Sequence, residues 1–353
     1  MRRLPIFFLI DVSDSMVGEP LDQVQKGLEL VVKELRSDPY ALETAYISVL
    51  AFASKAVKIS NLTEVFQFYP PRLPLGSGTG LGAGLTLLMN EIDANVKTNT
   101  HTVKGDWKPI VFLFTDGAPT DHFKPAVQRW KDSYTQKANL VVVGFGPEVD
   151  LSAFSGLTEN IFAFDDSDPK AFSRFFKWIS QSIQNSSQRV ETGTGDALQL
   201  AGLNADFLVK KPVTEEIMPY RAGISDNRYV ILEGRCQKNK NGYLLKYKRE
   251  MRKTDERVSE FGISTQEYVF KGAYLTPPEY TELSVNAKGT GKVNTDELVG
   301  IPPCPSCGNF TSFCLCSCGK LHCANEGINR CPWCESQSEV EFRGSIDVGR
   351  NAG

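Results

Sequence analysis

The chain has 353 residues, too many for one small core and enough for two or three domains. Hydrophobic residues make up 41% and charged residues 23%, ordinary values for a folded protein, and the formal net charge of −3 argues against bulk affinity for nucleic acid or membrane. No apolar run approaches membrane length, and Met1-Arg2-Arg3 is followed by too short an apolar stretch, with no small-residue cleavage site, for a signal peptide.

The first predicted element is a strand over the apolar run Ile6–Ile10, buried on both faces. It ends in Asp11-x-Ser13-x-Ser15, one carboxylate and two hydroxyls at alternate positions. Alternate residues of an extended backbone share a side, so the three oxygens can converge as the chain curls off the strand end. Hard oxygen ligands with a single charge suit a magnesium-like ion that keeps waters and takes further ligands from elsewhere. The same residue types also suit the N-cap of the next helix. That helix is predicted from Leu21, Val24, Leu28, Val31, Val32 and Leu35, with Pro20 in its first turn and Asp38-Pro39 as its stop.

Thr44–Phe52 reads as a second strand and Ala56–Ile59 as a short edge strand. The Gly-rich loop Gly76–Gly84, with Thr79 as its one threonine, leads into a helix within Leu81–Val96. Pro109–Phe114 is a further buried strand, followed by Thr115-Asp116-Gly117. A helix over Phe123–Lys137 has Trp130 on its core face, and a strand over Leu140–Phe145 ends at Gly146-Pro147. Ile161–Phe164 is the last strand before a helix over Pro169–Ile183. Strands alternating with helices imply an α/β fold: a doubly wound, mostly parallel sheet with helices on both faces. Ligands of such sheets bind beyond the carboxyl ends of the strands, where the loops bearing Asp11, Ser13, Ser15, Thr79 and Asp116 would meet.

The polar stretch Gln184–Asp196 reads as the start of a domain boundary. Beyond it, Tyr229–Cys236 and Gly242–Lys248 flank Asn239-Lys-Asn-Gly242 as a hairpin, Glu267–Leu275 is a strand stopped by Pro277-Pro278, and Tyr280–Val285 reads as another. The basic, tyrosine-bearing part of this segment, Arg235–Arg257, is read as a solvated hairpin face in preference to a nucleic-acid surface. Cys236 is read as a buried apolar filler.

Of nine cysteines, the eight besides Cys236 fall between Cys304 and Cys334. That placement suits a metal-binding module in a reducing, cytoplasmic compartment and not a disulfide framework. Cys304-Pro-Ser-Cys307 and Cys331-Pro-Trp-Cys334 bracket Cys314, Cys316, Cys318, His322 and Cys323. A structural zinc takes about four thiolate or imidazole ligands, so these nine candidates are enough for two closed zinc sites with one to spare.

The set Asp11, Ser13, Ser15, Thr79 and Asp116 resembles the metal-ion-dependent adhesion site of von Willebrand factor A domains, and the resemblance covers roughly residues 1–188. An A domain followed by a Cys/His module resembles the TerY-type tellurite-resistance proteins of bacteria. That resemblance implies seven cysteines and one histidine on two metals, which map onto Cys304, Cys307, Cys316, Cys318, His322, Cys323, Cys331 and Cys334, with Cys314 as the alternative. It also implies partnership with a serine/threonine kinase and a PP2C-type phosphatase in stress or phage-defence systems. The expected organisation is an A-like domain over 1–188, a linker and β-rich segment over 189–299, and a zinc module over 300–343.

The leading functional expectation is a non-enzymatic scaffold. Mg²⁺, Mn²⁺ or Ca²⁺ at the N-terminal site would accept an Asp or Glu from a protein partner, and exposed Thr192 or Thr194 are candidate phosphorylation sites. The alternatives are a metal-dependent hydrolase, although no histidine belongs to the site's motifs and His101 and His122 lie in polar, solvent-facing loop sequence with His122 the one to watch, and nucleic-acid binding through the zinc module.

Overall fold

The strand β1 (Leu4–Asp11) is buried along its whole length, as an apolar run without alternation requires of a strand covered on both faces. The computed structural model describes residues 2–100, 104–117, 119–146, 149–164, 171–192, 200–202, 208–211, 228–251, 266–284, 291–340 and 347–351. Its chain divides into two compact units, residues 1–74 with 79–220, and residues 75–78 with 221–353.

In the first unit the elements follow in the order β1, α1 (Glu19–Arg36), α2 (Pro39–Thr44), β2 (Ala45–Phe52), β3 (Ala56–Lys58) and β4 (Thr63–Glu64). Then come α3 (Leu81–Asn95), β5 (Ile110–Thr115), α4 (Lys124–Ser133), β6 (Asn139–Phe145), β7 (Ile161–Phe164), α5 (Ala171–Thr192) and β8 (Leu208–Lys210). They build one sheet in the order β3-β2-β1-β5-β6-β7-β8, with β4 also on β2. The strands from β2 to β7 run parallel, whereas β3, β4 and β8 add antiparallel at the edges.

Alternation along each strand sorts the core into two faces. Phe7, Leu9, Val111 and Leu113 pack with Leu85, Leu88 and Met89 of α3 and Trp130 of α4. On the other face Phe8 stacks on Phe112, and Phe114, Phe145 and Phe164 meet Phe172, Phe175 and Phe176 of α5. Gly27 of α1 lets the Phe176 ring approach closely: a Cβ there would sit 2.1 Å from it.

The last helix is longer than its composition suggests. The expected linker start, Gln184–Gln188, is part of α5, where Ser186 and Ser187 are buried. The hydroxyls of Ser180, Ser182 and Ser186 each donate to the carbonyl four residues back, so small polar residues serve as a buried helix face.

The second unit contains β9 (Tyr229–Arg235), β10 (Gly242–Met251), β11 (Gln266–Leu275), α6 (Tyr280–Leu283), β12 (Gly291–Asn294) and β13 (Leu298–Val299). It continues with β14 (Thr311–Leu315), β15 (Leu321–Ala324), β16 (Gly327–Arg330), β17 (Gln337–Val340) and β18 (Asp347–Arg350). Of Tyr280–Val285, expected as strand, Tyr280–Leu283 instead form the single helical turn α6, after which the Ser284 hydroxyl donates to the Tyr280 carbonyl; Val285 lies outside the described residues. The boundary expected at residue 300 is also absent. One sheet, β13-β11-β10-β9-β15-β14, joins the hairpin to the Cys-rich strands through the parallel pair β9–β15. Val230, Leu232, Tyr243, Leu245 and Tyr247 share a core with Cys304, Phe313, Leu321 and Cys323. The hydroxyl of Tyr243 donates to the Ser312 carbonyl and that of Tyr247 to the Gly300 carbonyl, at 3.0 Å in the second case. Among the described residues, no helix is long and apolar enough to cross a membrane.

Candidate metal centres

Asp11 is the last residue of β1, and Asp116 directly follows β5, its parallel neighbour. The chain leaves β1 for β2 on one side and later returns to β5 on the other. The two carboxylates therefore stand where the winding of the sheet reverses, the usual position of a ligand site in open α/β sheets. A chain of hydrogen bonds joins the residues. The Ser13 N–H donates to Asp11 Oδ1 at 3.0 Å, the Ser13 and Ser15 hydroxyls lie 3.0 Å apart, and Ser15 Oγ donates to Asp116 Oδ1 at 2.7 Å. Thr115, from the Thr-Asp-Gly stretch, donates its hydroxyl to Asp11 Oδ2 at 2.7 Å. Asp11, Ser13, Ser15 and Thr79 are fully buried and Asp116 is 3% exposed.

None of the leading residues acts as a helix cap. The helix α1 starts behind Gly18, and Ser13, which precedes a short 3-10 turn over Asp14–Met16, makes no side-chain cap bond. Burial first, and then the charge of Asp116, pushes the Asp11 carboxyl up to about 7, against hydrogen bonds from Thr115 and Ser13. Two buried carboxyl groups within one hydrogen-bond chain favour a cation. The Thr79 hydroxyl is buried with no hydrogen-bond partner among the described residues. A buried orphan oxygen costs about 1–3 kcal/mol unless something ligates it. The donor set therefore fits a hard cation held by Asp11, Ser13, Ser15, Thr79 and Asp116. His122 is exposed, and His101 lies outside the described residues.

In the second unit eight thiols form two groups of four, Cys236, Cys304, Cys307 and Cys323, and Cys316, Cys318, Cys331 and Cys334, with all Sγ atoms of a group within 4.8 Å of one another. The pairs Cys307–Cys323, Cys316–Cys334 and Cys318–Cys331 lie 3.8, 3.6 and 3.9 Å apart. A disulfide would require about 2.05 Å. A tetrahedral zinc with about 2.3 Å bonds to sulfur separates its ligands by about 3.8 Å, which matches.

The turns that present these thiols repeat one backbone pattern. The N–H groups of Cys236, Cys304 and Cys331 donate to the carbonyls of Asn241, Asn309 and Ser336, and their carbonyls accept from Lys240, Gly308 and Glu335. Those three donor residues, Lys240, Gly308 and Glu335, are left-handed, with φ of 59°, 74° and 63°. The turn at Cys316 is one residue tighter and closes through Gly319, φ 80°. Backbone N–H groups reach the sulfurs as well, Asn239 to Cys236 and Gln237 to Cys323, each at 3.3 Å. Against the pull of burial, the Cys318 N–H and the Ser336 hydroxyl draw Cys316 down to about 5, whereas burial foremost pushes Cys331 up to about 12. Four adjacent thiols divide their charge unevenly in this way unless a cation lets all of them ionise.

The structure thus alters the expected ligand list. Cys236, read as filler, sits in the first group, and His322 sits in neither. The physical reason is the parallel pairing of β9 with β15, which brings the hairpin turn to the Cys304–Cys307 turn, where Asn239 Nδ2 donates to the Ser306 carbonyl at 3.1 Å. His322 is buried, with Nδ1 2.8 Å from the Cys323 carbonyl, and Cys314 is its cross-strand neighbour outside both groups. The available signal was the turn Cys236-Gln-Lys-Asn-Lys-Asn-Gly242, a one-cysteine version of the Cys-x-x-Cys turns that follow.

The sequence model of the von Willebrand factor type A domain matches residues 6–178, and that of the TerY-C metal binding domain matches residues 226–353. A von Willebrand factor A domain-containing protein of Dictyostelium discoideum is 24% identical over 156 residues, 43% of this chain and 16% of that protein. Inter-alpha-trypsin inhibitor heavy chain H1 of Bos taurus is 26% identical over 156 residues, 42% of this chain and 17% of that protein. Each alignment thus spans only a small part of the relative's own length. Among solved structures, a von Willebrand factor type A protein from Catenulispora acidiphila is 13% identical, covering 81% of this chain and 70% of its own, with a TM-score of 0.42. Proximal thread matrix protein 1 of the mussel byssus, described with a zinc-occupied MIDAS motif, is 18% identical, covering 53% of this chain and 46% of its own, with a TM-score of 0.37. The chain thus contains a von Willebrand factor type A domain over residues 6–178 and a TerY-C metal binding domain over residues 226–353.

Proposed function

We propose that this protein is a non-enzymatic, cation-dependent scaffold that captures a carboxylate from a partner protein at its N-terminal site. The observation that carries this reading is the buried chain Asp11–Ser13–Ser15–Asp116 together with the Thr79 hydroxyl, which has no hydrogen-bond partner among the described residues. A hard divalent ion, Mg²⁺ in the first instance, would be held by these five residues. Its two carboxylates leave it attractive to a further Asp or Glu. The two four-thiol groups would each take a structural zinc, whose four thiolate ligands would leave no open coordination position for catalysis.

The TerY-C domain makes a serine/threonine kinase and a PP2C-type phosphatase the partners to test first, in tellurite or stress resistance of a bacterial cytoplasm. Thr192, the last residue of α5, is a candidate for modification by such a kinase; Thr194 lies outside the described residues. The test is capture of the kinase and phosphatase by immobilised full-length protein in Mg²⁺ or in EDTA. Binding in Mg²⁺ that is lost in EDTA, and lost with Asp116→Ala, supports the reading. Equal capture in both conditions contradicts it.

A further inference from the structure

The helix α3 starts without a cap of its own. Its N-cap residue is Gly80, which has no side chain to offer. A Cβ at Gly80 would lie 2.6 Å from the Ala53 carbonyl oxygen and 2.8 Å from that of Ser54. The backbone beyond β2 therefore excludes the Ser, Thr, Asn and Asp residues that usually fill this position. The cap comes from another loop. Asp121 Oδ1 accepts from the Gly82 N–H at 3.2 Å, and its Oδ2 accepts from the Ala83 N–H at 3.1 Å. These are the second and third residues of α3, the donors that an N-cap side chain normally satisfies.

Next to Asp121, Thr120 grips Thr79, the residue before the N-cap. The Thr79 N–H donates to Thr120 Oγ1 at 2.9 Å, and the Thr120 N–H donates to the Thr79 carbonyl at 2.8 Å. Thr120 and Asp121 belong to the loop that follows Asp116. One loop thus carries one cation-site residue and fixes the backbone of another. The electrostatics point the same way. The positive end of a helix beside Thr79 opposes a cation, and a carboxylate on its first N–H groups offsets that charge.

We propose that Asp121, helped by Thr120, is the positioning residue of the N-terminal cation site, a role that rests on the cation-dependent reading above. It keeps the Thr79 loop in register with Asp116 and neutralises the start of α3. Asp121→Ala removes both contributions; Asp121→Asn removes the charge and one of the two acceptors but keeps the other for the helix.

The experiment is a calorimetric titration of the full chain with Mg²⁺ alone, with cation-free melting curves measured beside it. Asp121→Ala is expected to bind Mg²⁺ about 10- to 100-fold more weakly, the usual effect of losing a residue that orients a metal ligand. Asp121→Asn is expected to fall between that variant and the unmodified chain. A purely structural role would lower the cation-free melting temperature and leave the affinity of the folded chain unchanged, which would overturn the proposal. Thr79→Ala and Asp116→Ala separate the two levels of inference. If these bind Mg²⁺ like the unmodified chain, the cation site itself is wrong; if they weaken while Asp121→Ala does not, only the positioning role is wrong. Should Asp121→Ala fail to fold, Asp121→Asn and Thr120→Val decide the matter, and unchanged affinity in both overturns it.

Discussion

Asp11 and Asp116 stand at the rim of a core that is complete without them, whereas Cys236, Cys304 and Cys323 are members of the core they hold. The first unit closes a large parallel sheet between two helical layers, and its apolar cluster is built from Phe, Leu, Val and Trp. The second unit has a small cluster in which thiols are a substantial share of the buried side chains. The consequence is a different dependence on metal. The N-terminal site is fitted to a stable frame, while the four-thiol groups are part of the frame.

The largest expected effect follows in the second unit. Cys236→Ser should remove one of two bound zinc ions and unfold residues 228–351. Structural zinc supplies roughly 10–16 kcal/mol of folding energy in peptide models, more than a core of this size can replace. Elemental analysis and limited proteolysis would show it. Two retained zincs would mean that His322 or Cys314 substitutes as ligand and that the grouping is wrong.

The corresponding way to break the first unit is through packing. Gly27→Val places a side chain where the Phe176 ring now lies, and should destabilise this unit by roughly 1–3 kcal/mol. Denaturant unfolding should show the loss in the first unit alone.

A smaller effect concerns pH. The Asp11 carboxyl is raised to about 7, mainly by burial, so its protonated form is favoured by folding. The contribution is present below the unfolded value of about 3.9 and disappears as pH rises through about 7. Without divalent cation, the first unit should therefore melt at a higher temperature at pH 5 than at pH 8. Saturating Mg²⁺ should narrow or reverse that difference, because it stabilises the charged form. A cation-free melting temperature that rises from pH 5 to pH 8 would contradict the assignment.

The smallest expected change is in Cys314→Ser. Cys314 belongs to neither thiol group, so zinc content should stay at two per chain, with a modest loss of stability. Loss of a zinc in this variant would place Cys314 among the ligands.

Much of this was legible in the residues. The buried runs before Asp11 and Asp116, and the one threonine in the Gly-rich loop, were enough to place three loops at one end of a parallel sheet. Periodicity carried that far because each strand is covered on both faces. It failed at α5, where the buried face is made of serines whose hydroxyls bond within the helix. It failed again at Cys236, because the pairing of β9 with β15 joins residues far apart in the chain. The family resemblance favoured His322, adjacent to Cys323; alternation along β15 turns Leu321 and Cys323 to one face and His322, itself buried, to the other. The trans cap on α3 was equally hidden, since nothing in Gly80 announces that Asp121 will serve it.

The most direct test of the contrast between the two regions is stepwise chelation followed by limited proteolysis of the full chain. EDTA at neutral pH, kept brief enough to leave zinc in place, should strip the hard cation and release the partner while both units stay protected. A strong thiol-site chelator should then expose residues 228–351 to cleavage while residues 4–192 remain protected. Loss of protection in both regions at the same step, or a second unit that stays folded without zinc, would contradict it.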